Sequence, residues 1–455
     1  MACPADGLCK AGQCVAADGC FGLAHDINIS QIVAYQTLSI PIMKDAKEVL
    51  KAERDSDVVA DRELLLRVFV TPGTGFMSRE LSARIHIRNG GVAKDIFVKG
   101  TPKASSASDL TSTFNLTLPR ELVTSGTQYS VELAECGDSL GNLLSPRFPI
   151  TGEAALGARE TGKLQLHVVP VHIGKEAPDI SEKRLAYFKS YFEALYPITD
   201  FELTLGDAYP VNSQPDFDTL LDDIRDLRID QEPEDTVYYL ALSPEESLDG
   251  ADGLGFRANP DEPDYRVAVS LSNDDAEYTS ATVGHELGHN HGLQHSPGCD
   301  PGTFDEQYPY DDGLLGIWAY DRRKKVLIAP DKTWDIMSYC DPVWFSDYTY
   351  RRVVDRVAHV NGQQHVARSL AVKQSFRVLM LSPDGKARWG HPYTGRVPAR
   401  APEAGTVFDS QGNAVATIDV YRIPTNAGHA ASVVIPSPQP GWFAVRVQGS
   451  GPVPF

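Results

Sequence analysis

The sequence predicts a multidomain protein with a central α/β (α+β) domain between an N-terminal β-sandwich and a small C-terminal β domain. The chain of 455 residues is longer than one hydrophobic core usually serves, so several domains are expected. Short apolar segments separated by turn residues fill both ends, whereas strand and helix patterns alternate in the middle. We expect a Cys-rich segment at 1–24, the β-sandwich at 25–159, the α/β domain at 160–365 and the last β domain at 366–455.

The first of these segments contains four closely spaced cysteines, Cys3, Cys9, Cys14 and Cys20. Small, Gly-rich spacers of this kind are typical of a local disulfide knot in an oxidising compartment. A zinc knuckle is the alternative, although it normally needs a closer pairing of cysteines. No signal-peptide pattern precedes Cys3 in the chain as given, and Cys3 could carry a lipid. We therefore expect an extracellular or cell-surface protein, either secreted or a lipoprotein.

The β-sandwich is predicted from strand-like segments at regular intervals. The clearest of them read ISQIVAY, ELLLRVFVT, LSARIHIRN and QYSVELAE. The stretch 48–59 interrupts this pattern and is helix-like or a loop. Similar short segments separated by Pro-rich turns return after residue 366 and predict the C-terminal β domain.

The central domain is predicted from a change of period near residue 160. The segment 163–173 is typical of a buried strand, and 180–198 has the apolar stripe of an amphipathic helix. A second helix is expected within 216–235, and further strands in DTVYYLALS and RVAVSLS. Because strands and helices alternate, we expect a sheet covered by helices.

Composition excludes several kinds of partner. The net charge of −19 leaves no basic surface large enough for nucleic acid, and no apolar run is long enough for a transmembrane segment. The acidic stretch 216–235 would suit Ca²⁺. Its helical stripe instead predicts that Asp222, Asp223 and Asp226 lie on a solvated face, so calcium stays possible but unsupported. We expect a monomer.

The segment 285–295, HELGHNHGLQH, is the strongest chemical signal in the chain. On a helix, His285 and His289 lie on one face and can bind one metal ion. Gly292 would end the helix, because glycine enters the left-handed conformation at no steric cost. The turn then brings in His295 as a third ligand. Three imidazoles leave one position of Zn²⁺ open for water, which is the arrangement of a catalytic site.

Glu286 follows the first predicted ligand directly. A carboxylate at this position can take the proton from zinc-bound water and return it to the leaving amine, so Glu286 is the expected catalytic base and acid. His291 would point away from the ligands and be exposed to solvent or support them. Thr279 and Ser280 are the expected cap residues at the start of the helix.

The pattern HExxHxxGxxH, together with Met337 in DIMSY, resembles the metzincin clan of zinc endopeptidases over residues 160–360. The resemblance implies a metzincin-like fold, zinc ligands at His285, His289 and His295, and a supporting Met-turn at Met337. It also implies that the hydroxyl of Tyr339, two residues later, stabilises the tetrahedral intermediate.

The step from His295 to Met337 departs from the best-known branches of that clan. We expect the inserted stretch 308–325 to lie near the cleft and shape substrate binding. Cys299 and Cys340 would flank it, and a disulfide between them would join the third-ligand loop to the Met-turn. The arrangement of domains is similar to secreted bacterial metalloproteases of the StcE type, which cleave mucins.

The expected function is thus a secreted zinc endopeptidase acting on extracellular proteins or glycoproteins. The substrate would add as a strand to an exposed sheet edge, at 266–272 or 250–256. One alternative is an adhesion or binding protein with an incidental metalloprotease-like domain. Another is a zinc amidase with a non-peptide substrate, which would use the same residues. The flanking β domains say nothing of their ligands.

Overall fold

A computed structural model describes residues 8–10, 13–15, 17–136, 146–213, 215–244, 251–362, 373–382, 386–426 and 431–455. Across these residues the protein is a multi-sheet, mixed α/β structure, built mostly of strands with four α-helices. No helix in the described ranges is long and apolar enough to cross a membrane. Five short 3-10 helices occupy Lys51–Glu53, Leu110–Ser112, Arg120–Leu122, Pro263–Tyr265 and Asp311–Gly313.

In the N-terminal part, a small hairpin is followed along the chain by two antiparallel sheets. The hairpin pairs β1 (Leu8–Lys10) with β2 (Gln13–Val15). The strands that follow are β3 (Phe21–Leu23), β4 (Ile27–Tyr35), β5 (Ser39–Lys44), β6 (Lys47–Glu48), β7 (Leu64–Pro72), β8 (Leu81–Asn89), β9 (Val92–Gly100), β10 (Phe114–Leu118), β11 (Gln128–Glu135), β12 (Arg147–Phe148) and β13 (Ala154–Ala155). One sheet has the order β10-β7-β4-β5-β6; the other has β12-β11-β8-β9, with β3 and β13 also paired to β11.

Both sheets bury side chains in one apolar cluster. Alternate residues of β7, such as Leu64, Leu66 and Val68, and of β8, such as Ala83 and Ile85, belong to it. This is the period-2 burial of strands with one face on a core. The stretch 48–59 forms turns and one short 3-10 helix rather than an α-helix.

The prediction of a local disulfide knot is wrong for Cys20. Cys20 forms a disulfide with Cys136, 116 residues away, at the end of β11. The first segment is therefore tied to the second sheet, because β3 pairs with β11 and brings the two thiols together. Cys3 lies outside the described residues, and the backbones of Cys9 and Cys14 are register partners in the first hairpin.

The central part contains a six-stranded sheet and all four α-helices of the described chain. Its elements are β14 (Leu164–Ile173), α1 (Glu182–Leu195), β15 (Phe201–Leu205), β16 (Tyr209–Val211), α2 (Phe217–Gln231), β17 (Val237–Pro244), β18 (Gly253–Gly255), β19 (Val267–Ser272), α3 (Ala276–Asn290), β20 (Ala319–Asp321), β21 (Val326–Ile328), β22 (Trp334–Asp335), β23 (Val343–Trp344) and α4 (Asp347–Gly362). The order is β15-β14-β17-β19-β18, with β16 on β14. All pairs are parallel except that of β18 with β19. By the strand order, β18 is the edge strand next to β19.

The two faces of this sheet are buried against different partners. Leu240 and Leu242 of β17 belong to the cluster that includes α1, α3, α4 and the N-terminal sheets. Tyr239 and Ala241, on the opposite face, pack with α2 and with strands of the C-terminal sheet. Because both faces are covered, the inner strands β17 and β19 are buried along almost their whole length.

The C-terminal part is one antiparallel sheet. Its strands are β24 (Lys373–Leu381), β25 (Ala387–Arg396), β26 (Glu403–Phe408), β27 (Ala414–Pro424), β28 (Ala431–Pro436), β29 (Ala444–Arg446) and β30 (Val453–Pro454), in the order β25-β24-β28-β27-β26-β29-β30. Phe376, Ile423 and Val434 pack against the cluster of α2. Just beyond β27, Thr425 forms an antiparallel bridge with Phe256, just beyond β18.

This sheet overturns the expectation for the acidic helix. Asp222 of α2 is only 3% exposed, because β25 packs on the helix there. It accepts a hydrogen bond from Arg225 at 2.5 Å. Burial raises the pKa of Asp222 to about 6, partly offset by the charge of Arg225. The predicted solvated face is thus covered by the C-terminal sheet at this position.

The second half of the stretch 308–325 lies away from the cleft, whereas Asp312 and Gly313 in its first half contact the loop that follows His295. Its hairpin, β20 with β21, packs on the N-terminal sheet, where Ala319 bridges Leu38 and Tyr320 makes an edge-on contact with Tyr35. Trp318 and Tyr320 pack against an apolar cluster of the N-terminal sheet that contains Tyr35, whereas Tyr308 packs against Tyr310 and Tyr348. None of these residues lines the cavity described below.

Candidate metal centre

Helix α3 carries the first two predicted ligands. It begins after Asp275, whose carboxylate accepts hydrogen bonds from the backbone N–H groups of Glu277 and Tyr278. Thr279 and Ser280, the predicted caps, lie one turn inside the helix instead. The helix ends at Asn290, and Gly292 has φ +88°, as the sequence predicts. This left-handed turn reverses the chain towards His295.

The three histidines are oriented by backbone carbonyls. The Nδ1 atoms of His285 and His289 lie 2.8 Å from the Ile336 oxygen and 2.9 Å from the Leu293 oxygen. Nδ1 of His295 lies 3.4 Å from the oxygen of Thr303. A carbonyl can only accept, so each ring must donate from Nδ1 and present the lone pair of Nε2.

These Nε2 atoms converge on one point. His285 Nε2 and His289 Nε2 are 3.1 Å apart, and the ligand atoms of all three residues lie within 4.8 Å of one another. Nε2 of His295 is buried without a hydrogen-bond partner. Burial lowers the pKa of His285 to about 3 and of His295 to about 4.

Three neutral, buried imidazoles with lone pairs facing one another are the donor set that Zn²⁺ binds. The residues therefore fit a zinc ion. Among the described residues, no other group of three or more His, Cys, Asp or Glu side chains is arranged to hold a metal.

Glu286 lies beside the histidines at the floor of a cavity of about 380 Å³. Its side chain is 3% exposed, and burial, followed by the negative charge of Asp252, raises the pKa of Glu286 well above its usual range. A cation on the neighbouring imidazoles would oppose this shift and favour the carboxylate. The cavity is lined by 251–253, 278, 281–282, 285–286, 336, 338–341, 343 and 426.

The edge strand β18 passes directly over Glu286. A Cβ atom on Gly253 would lie 2.7 Å from Cγ of Glu286, and one on Gly255 would lie 2.8 Å from its backbone oxygen. Only glycine permits such an approach of a strand to the helix. The backbone of the edge strand therefore forms one wall of the cavity.

Met337 lies beneath the histidines and is 1% exposed. A Cβ atom on Gly288, between His285 and His289 on α3, would come within contact distance of its sulfur. The Met337 oxygen accepts a hydrogen bond from the N–H of Ser296 at 2.9 Å, next to His295. Cys299 and Cys340 form a disulfide between the same two loops. The third-ligand loop and the Met-containing turn are thus joined twice.

Tyr339 lies at the mouth of the site. Its ring centroid is 4.7 Å from that of His295 and 5.9 Å from that of His285. The side chain is 53% exposed and lines the cavity with Glu286. Partial desolvation and the Glu286 charge raise the pKa of Tyr339 to about 12, so its hydroxyl is a proton donor at neutral pH.

His291 points away from the ligands but is not exposed. It is 4% exposed and packs against the rings of Tyr196 and Tyr238, with Nδ1 3.3 Å from the Tyr238 hydroxyl. Burial lowers the pKa of His291 well below its usual range. The sequence pattern shows that His291 points away from the other histidines, but it could not show whether solvent or buried side chains lie on that side.

Sequence reasoning missed several polar residues of the cavity, among them Asp252 and Asn426. Asp252 accepts a hydrogen bond from the Tyr278 hydroxyl, and Asn426 donates one to Glu286 at 3.2 Å. Asn426 is 140 residues from Glu286 and follows an ordinary β-strand. No local motif marks it.

Comparison with known proteins gives one informative match. Residues 269–341 match the model of the peptidase M66 family, a stretch that contains the three histidines, Glu286, Met337 and Tyr339. No sequence among the curated proteins matches the chain.

Two solved structures show weak similarity. Archaemetzincin from Methanopyrus kandleri is 15% identical, with a TM-score of 0.24, over 44% of this chain and 97% of its own. A chaperone–substrate complex is 12% identical, with a TM-score of 0.26, over 56% of this chain and 44% of its own. Such scores support no inference. The peptidase M66 match, over the segment that carries the histidines, supports a metallopeptidase.

Proposed function

We propose that this protein is a secreted, zinc-dependent endopeptidase. The observation that carries the proposal is the convergence of three Nε2 atoms, each with its Nδ1 beside a backbone carbonyl, next to the buried carboxylate of Glu286. His285, His289 and His295 would hold the metal. Two disulfides and the absence of a membrane-spanning helix in the described chain are consistent with an extracellular protein.

When bound, Zn²⁺ would lower the pKa of water and polarise the scissile carbonyl. Glu286 would take a proton from the attacking water and transfer it to the departing amine. The Tyr339 hydroxyl, at the cavity mouth, would donate to the oxygen that becomes negative as the carbonyl is attacked. Its exposure leaves it room to move towards the substrate.

The substrate would bind as an extended strand along β18. Gly255 directs its N–H away from β19, towards Asn426. Because backbone groups alternate in direction along a strand, Gly253 also directs its N–H and C=O outward. The N–H and C=O groups of Gly253 lie over Glu286 and can pair with a peptide, whereas the N–H of Gly255 is already bonded to Asn426. Of the two edges expected from the sequence, β18 is the outer strand and β19 is internal.

The lining of the cavity favours some substrates over others. It carries the carboxylates of Asp252, Glu286 and Asp341, and none of its described lining residues is Lys or Arg. Acidic groups close to the scissile bond are therefore disfavoured. We propose extracellular proteins as substrates, including O-glycosylated, mucin-like ones, provided that the sugars near the cleavage site are neutral.

Mass-spectrometric mapping of new peptide termini tests the proposal. Wild type, Glu286→Ala and Glu277→Ala would be incubated with a panel of plain and O-glycosylated proteins after zinc content is measured. Glu277 is a matched control, because it is a partly exposed carboxylate on the first turn of the same helix, paired with Lys324. We expect new termini with wild type and Glu277→Ala and none with Glu286→Ala.

The position of the termini selects among substrates. Clustering beside glycosylated Ser or Thr supports the mucin-like class, and an even distribution supports general proteolysis. If all three proteins are silent while each binds one zinc ion, the endopeptidase proposal is wrong. A binding protein or an amidase with a non-peptide substrate would then be favoured.

A further inference from the structure

Among the described residues, Asn426 is the one side chain from the C-terminal part of the chain that lines the candidate active site. Asn426 follows β27 and lines the cavity beside Glu286. Its Nδ2 atom lies 3.2 Å from Oε2 of Glu286. Its Oδ1 atom accepts a hydrogen bond of 2.9 Å from the N–H of Gly255 on the edge strand. One amide thus joins three parts of the chain.

The chemistry of these contacts determines the orientation of the amide. A backbone N–H can only donate, so the atom facing Gly255 must be the oxygen. The NH₂ group is therefore directed at the carboxylate of Glu286, which accepts. If the amide were reversed, its NH₂ group would face the N–H donor of Gly255, and its oxygen would face the acceptor oxygen of Glu286. Neither pair could form a hydrogen bond.

The segment that leads to Asn426 is anchored just before this contact. The N–H of Arg257 donates to the Pro424 oxygen at 2.8 Å, and Thr425 bridges Phe256. Ile423 is fully buried in the cluster that contains α2. Asn426 is thus held by strand pairing to the chain just after the edge strand.

We propose that Asn426 is a positioning residue for Glu286, so that the C-terminal β domain completes the active site. The inference rests on the proposed function, in which Glu286 exchanges the proton of the reaction. Glutamate has several rotatable bonds, and Gly253 and Gly255 leave its side chain in contact with bare backbone on one side. The amide of Asn426 restrains the carboxylate there and holds the edge strand in register with it.

Two substitutions separate positioning from simple packing. Asn426→Asp keeps the shape and the acceptor for Gly255 but places a second carboxylate oxygen against Glu286. Asn426→Ala removes both hydrogen bonds without adding repulsion. Positioning predicts that Asn426→Asp lowers kcat by about 10- to 100-fold, with KM within about twofold of wild type, and that Asn426→Ala is less impaired. A structural role predicts the reverse order, because Asp preserves the contact with the edge strand.

Asn413→Asp provides the matched control. Asn413 lies in a turn of the same sheet, where its Nδ2 donates to the carboxylate of Asp409 at 3.1 Å. The substitution has the same chemistry but no route to Glu286, so kcat should not change. Zinc content and unfolding midpoints are measured for every variant, because a loss of metal or of folding would have another cause.

Several outcomes would overturn the proposal. These are an unchanged kcat in Asn426→Asp, a change in KM alone, or a lower kcat in Asn426→Ala than in Asn426→Asp. If wild type binds zinc but cleaves nothing, the proposed function is wrong whether or not Asn426 contacts Glu286 and Gly255. Hydrogen exchange then tests the contact of Asn426 with the edge strand without an activity assay. Peptides covering 251–257 should exchange faster in Asn426→Ala and at the wild-type rate in Asn426→Asp. Equal protection in all three proteins would refute the contact.

Discussion

Replacing Gly253 by alanine should displace the carboxylate of Glu286 without unfolding the protein. The added methyl group would lie 2.7 Å from both Cγ and Oε1 of Glu286. Ordinary carbon contacts are about 3.5–4.0 Å, so one of the two groups must move by about 1 Å. Gly253 lies on β18 and has no positive φ, so alanine fits its backbone. Misplacement by about 1 Å costs about 100-fold in rate, which corresponds to about 2.7 kcal/mol of activation free energy.

The assay measures kcat/KM on a peptide that the wild type cleaves, together with bound zinc and the unfolding midpoint. Gly284→Ala is the matched control: it lies on α3 next to His285, and its Cβ would make only ordinary contacts at 3.7 Å. We expect Gly284→Ala to keep its activity and to be as stable as wild type or more so, since alanine favours helix. Full activity in Gly253→Ala, with zinc bound, would refute the account of how the edge strand confines Glu286.

Three further predictions concern stability and the metal. Arg62→Ala should lower the free energy of unfolding by about 3 kcal/mol, because the buried Arg62 donates to the carbonyl oxygens of Glu193 and Ala194 at the end of α1; an unchanged urea midpoint would contradict this. Replacing Cys299 and Cys340 together by serine should cost about 4 kcal/mol by chain entropy, since the bond closes a loop of sequence separation 41; this is measured by denaturation against the oxidised wild type. Chelation should lower the unfolding temperature of wild type but not of His289→Ala, because a ligand that binds only the folded state stabilises it; an equal shift in both would argue against the histidine site.

Local patterns of the sequence predicted much of the central architecture. Strand and helix periods indicated the covered sheet, and they did so because burial repeats with the geometry of each element. The largest strand that these patterns omitted, β25, is half-exposed along most of its length, so it has no strong apolar alternation. The limits of the four segments remain predictions.

Some features of the candidate site could likewise be predicted from local sequence patterns. The spacing of His285 and His289 on a helix, with Gly292 at its end, determines by itself that two imidazoles share a face and that the chain then reverses. Both features follow from the local backbone conformation of the helix and of its last turn, so the sequence alone is enough to predict them.

Only the tertiary structure decided which distant surfaces meet at that helix. It buries His291 and Asp222, joins Cys20 to Cys136, and places Asn426 beside Glu286. Such contacts depend on which faces of the sheets pack together, a property of the whole core rather than of any short segment. The residues that would perform the chemistry could therefore be predicted from a motif, whereas the residue that we propose orients Glu286 follows a strand of the C-terminal sheet, 140 residues away.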